Sequence, residues 1–224
     1  MKLEIRILKF VYMLILKQDQ LDEAVALLKK GQVIIFPTET SYGLGCDATN
    51  PKAVERIFKI KERELNKALL VVVPNVDMAK KYLAWNNLMD KLAGKYWPGP
   101  LTVVASYIGA ILKVGLGKIP NEYFLAPGVI SSEDNLAIRV SAHPVLKFLS
   151  EKLGRPVVAT SANISATGNS YDSQEVIRIF AERTHQPDAI LDLGLLPITP
   201  PTTIVSATRG TLQILRQGEV KVEI

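Results

Sequence analysis

Short apolar runs alternate along the chain with stretches of helical period. Residues 20–30 (QLDEAVALLKK) place Leu21, Ala24, Val25 and Leu28 on one helix face, with Asp19 positioned to cap the start and Gly31 to end it. Residues 32–36 (QVIIF) then read as a buried strand, and 37–50 (PTETSYGLGCDATN) as a loop rich in Thr, Gly and Pro. Asn50-Pro51 opens a second helix with Val54, Ile57 and Phe58 facing inward. The continuous apolar run ALLVVV (68–73) fits a strand covered on both faces. Residues 77–96 read as one helix ending at Trp97-Pro98-Gly99-Pro100. LTVVA, LAIRV, PVVAT, AILDL, TTIVS and LQILR supply further strands, with helices near 144–153 and 173–183. The pattern predicts an α/β fold on one mixed sheet, in a single domain over 13–224. Residues 106–134 carry several Gly and Pro without a clear period and read as a long surface loop, a candidate lid.

Composition narrows the chemistry. The chain has 224 residues, 48% hydrophobic, enough for one full core. A lone cysteine, Cys46, excludes a disulfide framework or a multi-cysteine metal site within one chain. With only His143 and His185 and no HExxH, a zinc hydrolase is disfavoured; GxxxxGK[ST] and GxSxG are also missing. The apolar stretch within residues 1–17 is too short for a membrane span and has no small-residue cleavage site, so a cytoplasmic location without membrane contact is expected. The net charge of +5 suits anionic partners such as nucleotides or RNA, although many basic proteins bind neither.

Four clusters carry candidate chemistry. The segment Pro37-Thr38-Glu39-Thr40-Ser41-Tyr42-Gly43-Leu44-Gly45 follows a strand, where open α/β sheets bind ligands. Lys61, Arg63 and Lys67 set three cations at a helix end, suited to a triphosphate. Ser161 and Asn163 can present a hydroxyl and an amide from one post-strand turn. Arg139 ends the run LAIRV and suits a carboxylate or phosphate. Thr202 and Arg216 are weaker candidates, each attached to a strand. Taken singly, each cluster also fits an ordinary structural role: a tight loop, a solvated helix end, a turn or a surface ion pair. No Ser–His–carboxylate set is evident, which favours chemistry by positioning and charge neutralisation.

Together these segments resemble the YrdC-like threonylcarbamoyl-AMP synthase family. The resemblance rests on residues 36–45, Lys61-x-Arg63, residues 96–102 (YWPGPLT), residues 137–140 with His143-Pro144, Ser161-Ala162-Asn163, and Leu215-Arg216-x-Gly218. It implies a YrdC-like twisted open mixed sheet with flanking helices around a large basic cavity. It further implies formation of L-threonylcarbamoyladenylate and pyrophosphate from L-threonine, bicarbonate and ATP with Mg²⁺, a nucleotidyl transfer serving t6A modification of tRNA adenosine 37. A downstream threonylcarbamoyl transferase complex would take the product.

By motif position, Lys61 and Arg63 look like the catalytic phosphate-handling pair, and Thr40, Arg139 and Thr202 like the threonine contacts. Lys67, Asn135, Ser161, Asn163 and Arg216 join Lys61 and Arg63 as nucleotide contacts, and no protein metal site is implied. The chain departs from the family's usual residues at Val72, where some members carry His, and at Thr160, where Pro is frequent. It departs again at Pro201-Thr202-Thr203, where Glu-Ser-Thr is usual, and at Lys67, a slot often held by Asn. The competing reading is a double-stranded RNA or tRNA-binding protein of the same fold without synthase activity. Residues 1–12 precede everything the motifs require and read as an N-terminal extension.

Overall fold

The computed structural model describes residues 13–165 and 168–223, and the expectation about residues 1–12 lies outside that range. The α/β class holds, but the expected single sheet is two sheets. The first sheet is built from β1 (Leu14–Leu16), β2 (Ile34–Pro37), β3 (Tyr42–Gly45), β8 (Thr160–Ser161) and β9 (Ala189–Leu191), in the order β1-β9-β2-β3-β8. The second contains β4 (Val71–Val73), β5 (Leu101–Ser106), β6 (Asn135–Val140), β7 (Val157–Val158), β10 (Thr203–Ser206) and β11 (Gln213–Arg216), in the order β11-β10-β5-β6-β4-β7. Both mix parallel and antiparallel neighbours.

The two sheets meet where the chain changes from one to the other. Val157 and Val158 pair with β4, whereas Thr160 and Ser161 pair with β3. The run read as one strand, 156–160, is therefore two short strands on different sheets, with Ala159 at the crossing. The sequence run cannot reveal such a switch, because sheet membership depends on partners distant along the chain.

Helices cover the sheets. α1 (Leu21–Lys29) buries Ala24, Val25 and Leu28 as the spacing requires. Its start is Gln20, not Asp19, and no side chain caps it; the Gln20 side chain instead accepts from the Lys17 amide. α2 (Pro51–Lys61) begins as expected: Asn50 accepts from the Ala53 amide at 3.1 Å and Pro51 takes the first position. It ends at Glu62, held in the left-handed region at φ 50°, which redirects the chain into Arg63. The single helix expected over 77–96 is broken into α3 (Val76–Tyr82) and α4 (Asn87–Tyr96), because the Asn86 side chain caps a new start at the Met89 amide. α6 (Pro144–Leu153) and α7 (Ser173–Ala181) fall where their periodicity puts them.

Two loop expectations are corrected. Residues 37–50 contain β3, a buried strand forming a hairpin with β2 from Pro37–Tyr42 to Ile34–Gly45. Its glycines answer to crowding: a Cβ on Gly45 would lie 1.9 Å from the Val158 main-chain oxygen, and one on Gly43 would lie 2.9 Å from the Phe36 ring. The 106–134 segment is not an open lid. It holds α5 (Ile108–Leu116) and a 3₁₀ turn over Asn121–Tyr123, and it buries Tyr107, Leu125, Ala126 and Val129 in the core. Among the described residues no helix is long and apolar enough to cross a membrane.

Candidate active site

The second sheet shows why a cavity opens where it does. One face of β5 and β6 is apolar: Leu101, Val103, Ala105, Leu136, Ile138 and Val140 all pack into the main core. The alternate positions, Thr102, Val104, Asn135, Ala137 and Arg139, face a cavity of about 440 Å³. Ile204 on β10 and Arg216 on β11 extend that wall. The opposite wall comes from the first sheet, through Thr40, Tyr42 and Gly43 of the β2–β3 hairpin and Thr160 and Ser161 of β8. Ala159, the crossing residue, also lines it, so the cavity sits where the chain passes between sheets. A second cavity of about 400 Å³ adjoins the first through shared Arg63, Ser161 and Asn169, and adds Lys61, Lys67 and Asn163.

All ten candidate residues line one or both cavities. Thr40, Asn135, Arg139, Thr202 and Arg216 belong to the first, Lys61, Lys67 and Asn163 to the second, and Arg63 and Ser161 to both. The sequence signal was their attachment to strand ends and one helix end. Glu39, within the quoted hairpin segment, drew no role from the sequence, yet it is the partner of Arg139: Arg139 Nη2 lies 3.5 Å from Glu39 Oε2. Glu39 Oε1 is fixed by the Ser141 hydroxyl at 2.6 Å and the Ala142 amide at 3.0 Å. Burial raises the Glu39 pKa, but Arg139, the Ser141 hydroxyl and the backbone amides outweigh it and hold the carboxyl below its ordinary 4.5. Asn169 carried no signal, lying in a polar stretch without periodicity.

The cations are crowded. Burial lowers the pKa of Arg139, opposed by Glu39, and burial followed by the like charge of Arg139 lowers that of Arg216. Arg139 is 4% exposed and its Nε has no hydrogen-bond partner among the described residues. Arg216 leans on Thr202, donating to its carbonyl at 2.7 Å and its hydroxyl at 2.9 Å. Arg63 donates to the carbonyls of Lys67 and Ala68 at 3.1 and 3.3 Å. Three guanidinium groups that stay charged at neutral pH therefore face one cavity that no carboxylate lines among the described residues. Such a space favours an anion. Lys61, 2% exposed, has its pKa pushed down to about 7 by burial and by Arg63.

A family model described as "Telomere recombination", Sua5/YciO/YrdC, matches residues 26–218. The chain belongs to this family. Threonylcarbamoyl-AMP synthase of Psychromonas ingrahamii is 29% identical over 88% of this chain and 97% of its own length. Threonylcarbamoyl-AMP synthase of Pseudoalteromonas translucida is 33% identical over 86% and 96%. The structure of P. abyssi Sua5 complexed with L-threonine superposes with a TM-score of 0.75 at 27% identity. That superposition covers 92% of this chain, which spans 57% of the Sua5 protein. Within the Sua5/YciO/YrdC fold, the departure at Val72 is placed beside the paired guanidinium, since Val72 and Arg139 are partners in the β4–β6 register. Val72 is fully buried in the smaller core cluster, so this position supplies packing here and no polar group.

Proposed function

We propose that the chain is a threonylcarbamoyl-AMP synthase, a nucleotidyltransferase that joins L-threonine, bicarbonate-derived CO₂ and ATP. The observation that carries this reading is the buried, under-bonded Arg139 in a cavity crowded by Arg63 and Arg216. An amino acid carboxylate fits Arg139, with the Thr40 and Thr202 hydroxyls beside it for the polar side chain. The nucleotide lies along Asn135, Arg216 and Ser161. Its phosphates reach Arg63 and extend into the second cavity toward Asn163 and Lys67, with Lys61 behind that wall.

The neutral threonine amine attacks CO₂ and releases a proton to solvent, giving a carbamate. A carbamate oxygen then attacks the α-phosphorus, the bond to the β-phosphate oxygen breaks, and pyrophosphate leaves. Cations held before the substrates arrive stabilise charge on the transferring phosphoryl group without reorganising. Mg²⁺ belongs to the nucleotide in this reading. Glu39 is already paired with Arg139, Glu62 with Arg183 and Glu64 with Lys67, so the carboxylates at the two cavities do not fit a resident ion. The reaction is placed in the cytoplasm, where the product would pass to a transferase acting on tRNA. Incubation with ¹³C-bicarbonate, threonine and MgATP should yield an adenylate carrying the label, read by mass spectrometry. ATP consumption without a labelled adenylate would sink the reading.

A further inference from the structure

We propose that Lys61 is a positioning residue, which holds the Ser161–Asn163 turn against the end of α2 and does not itself touch the nucleotide. This rests on the nucleotide occupying the two cavities as read above. An ammonium group has three N–H donors. Those of protonated Lys61 are all engaged: Nζ donates to the main-chain oxygens of Ser161 and Asn163 at 2.6 and 2.9 Å, and to Asn163 Oδ1 at 2.8 Å. The same residue's carbonyl accepts from the Ser165 amide at 2.9 Å, so segment 161–165 wraps around the last turn of α2.

The cation also fixes which way the turn's polar groups point. Asn163 Oδ1 accepts from Lys61 and from the Ser161 hydroxyl at 2.7 Å, which leaves Asn163 Nδ2 directed to the Gly168 carbonyl at 2.9 Å. Ser161 and Arg63 line both cavities from opposite origins, one from β8 and one from the chain leaving α2. Lys61 lies two residues before one and is the hydrogen-bond partner of the other. Turning its ammonium toward a phosphate would break its three hydrogen bonds to this turn, two of them buried, a substantial penalty. Arg63, Lys67 and Arg216 supply the phosphate charge without that cost. The groups charged around Lys61 at this wall are Glu62, Arg63, Glu64 and Lys67, all on the α2 side; Ser161, Asn163, Ser165 and Asn169 opposite are uncharged.

A double-mutant cycle on ATP affinity, measured by calorimetry, tests this and gives an answer whether or not the chain is a synthase. Lys61→Met alone should weaken ATP binding roughly tenfold or more. In an Asn163→Ala background, where Oδ1 is gone and the Ser161 and Asn163 carbonyls remain, the same substitution should cost clearly less than it does alone, while with Arg63→Ala the losses should add. A general loss of structure would couple to both partners equally. Full additivity with Asn163→Ala would overturn the proposal. A second measurement uses the unmodified chain, in case Lys61→Met fails to fold. An acyl phosphate of ATP loses its acyl group to a lysine amine next to the terminal phosphate, releasing ATP. Peptide mapping after this probe should leave Lys61 unlabelled, and acylation of Lys61 would overturn the assignment.

Discussion

Arg139 and Glu39 face each other at 3.5 Å, and each carries a buried atom without a hydrogen-bond partner among the described residues. An ion pair left this loose has capacity for one more anionic ligand. Arg139→Ala should therefore raise the threonine KM about 30-fold or more, the scale of a lost charged hydrogen bond pair, and move ATP affinity by less than about threefold. Adding Glu39→Gln should recover stability by removing the orphaned carboxylate, without recovering threonine use. Comparable losses for threonine and ATP would make Arg139 structural. The Glu39 carboxyl titrates below its unfolded value of 4.5, so folding favours its ionised form. That contribution is complete above pH 4.5 and is lost as pH falls through the folded value. As pH falls from about 5 to about 3, denaturant titrations should show Glu39→Gln losing less stability than the unmodified chain; equal losses would mean that the Glu39 charge does not support the fold. Cation and hydroxyl positions were legible at this scale because they punctuate apolar runs. The Glu39 role was not, because the pairing joins residues far apart in the chain, one in the β2–β3 turn and one on β6.

β3 is the element on which sequence reasoning failed most clearly, and the reason is steric. Gly43 and Gly45 signal a loop by propensity, yet they are selected by the close approach of Phe36 and Val158. Gly45→Ala should cost about 2 kcal/mol or more, since the atom displaced is main-chain oxygen. Gly94 offers the contrast: it lies within α4, and a Cβ added there would meet nothing within 4 Å. Gly94→Ala should stabilise by about 0.5–1 kcal/mol. Chemical denaturation of both variants checks the pair, and a neutral Gly45→Ala would contradict the packing described. Helices with uninterrupted period were readable to within a residue or two, as α1, α2, α6 and α7 show. The α3–α4 break was missed because Asn86 acts by capping, which leaves the hydrophobic period nearly intact.

For the whole molecule, the consequential feature is the crossing at Ala159, which joins two sheets and lines the cavity between them. Ligands seated there contact both sheets and bind only the folded state. Saturating MgATP at about 100 times its Kd should add about 2.7 kcal/mol. That corresponds to a rise in Tm of roughly 5–10 °C for a chain of this size, read by scanning calorimetry. An unchanged Tm under those conditions would mean that the nucleotide does not bind the folded chain there. The division into two sheets was illegible in the sequence, since register and sheet membership depend on partners distant along the chain.

Pyrophosphate release, measured with each substrate omitted in turn, tests the synthase reading most directly. Release is expected only when ATP, L-threonine and bicarbonate are present together, because the nucleophile at the α-phosphorus is the carbamate formed from the other two. Release with ATP alone, release with threonine in the strict absence of bicarbonate and CO₂, or no release under any combination would contradict it.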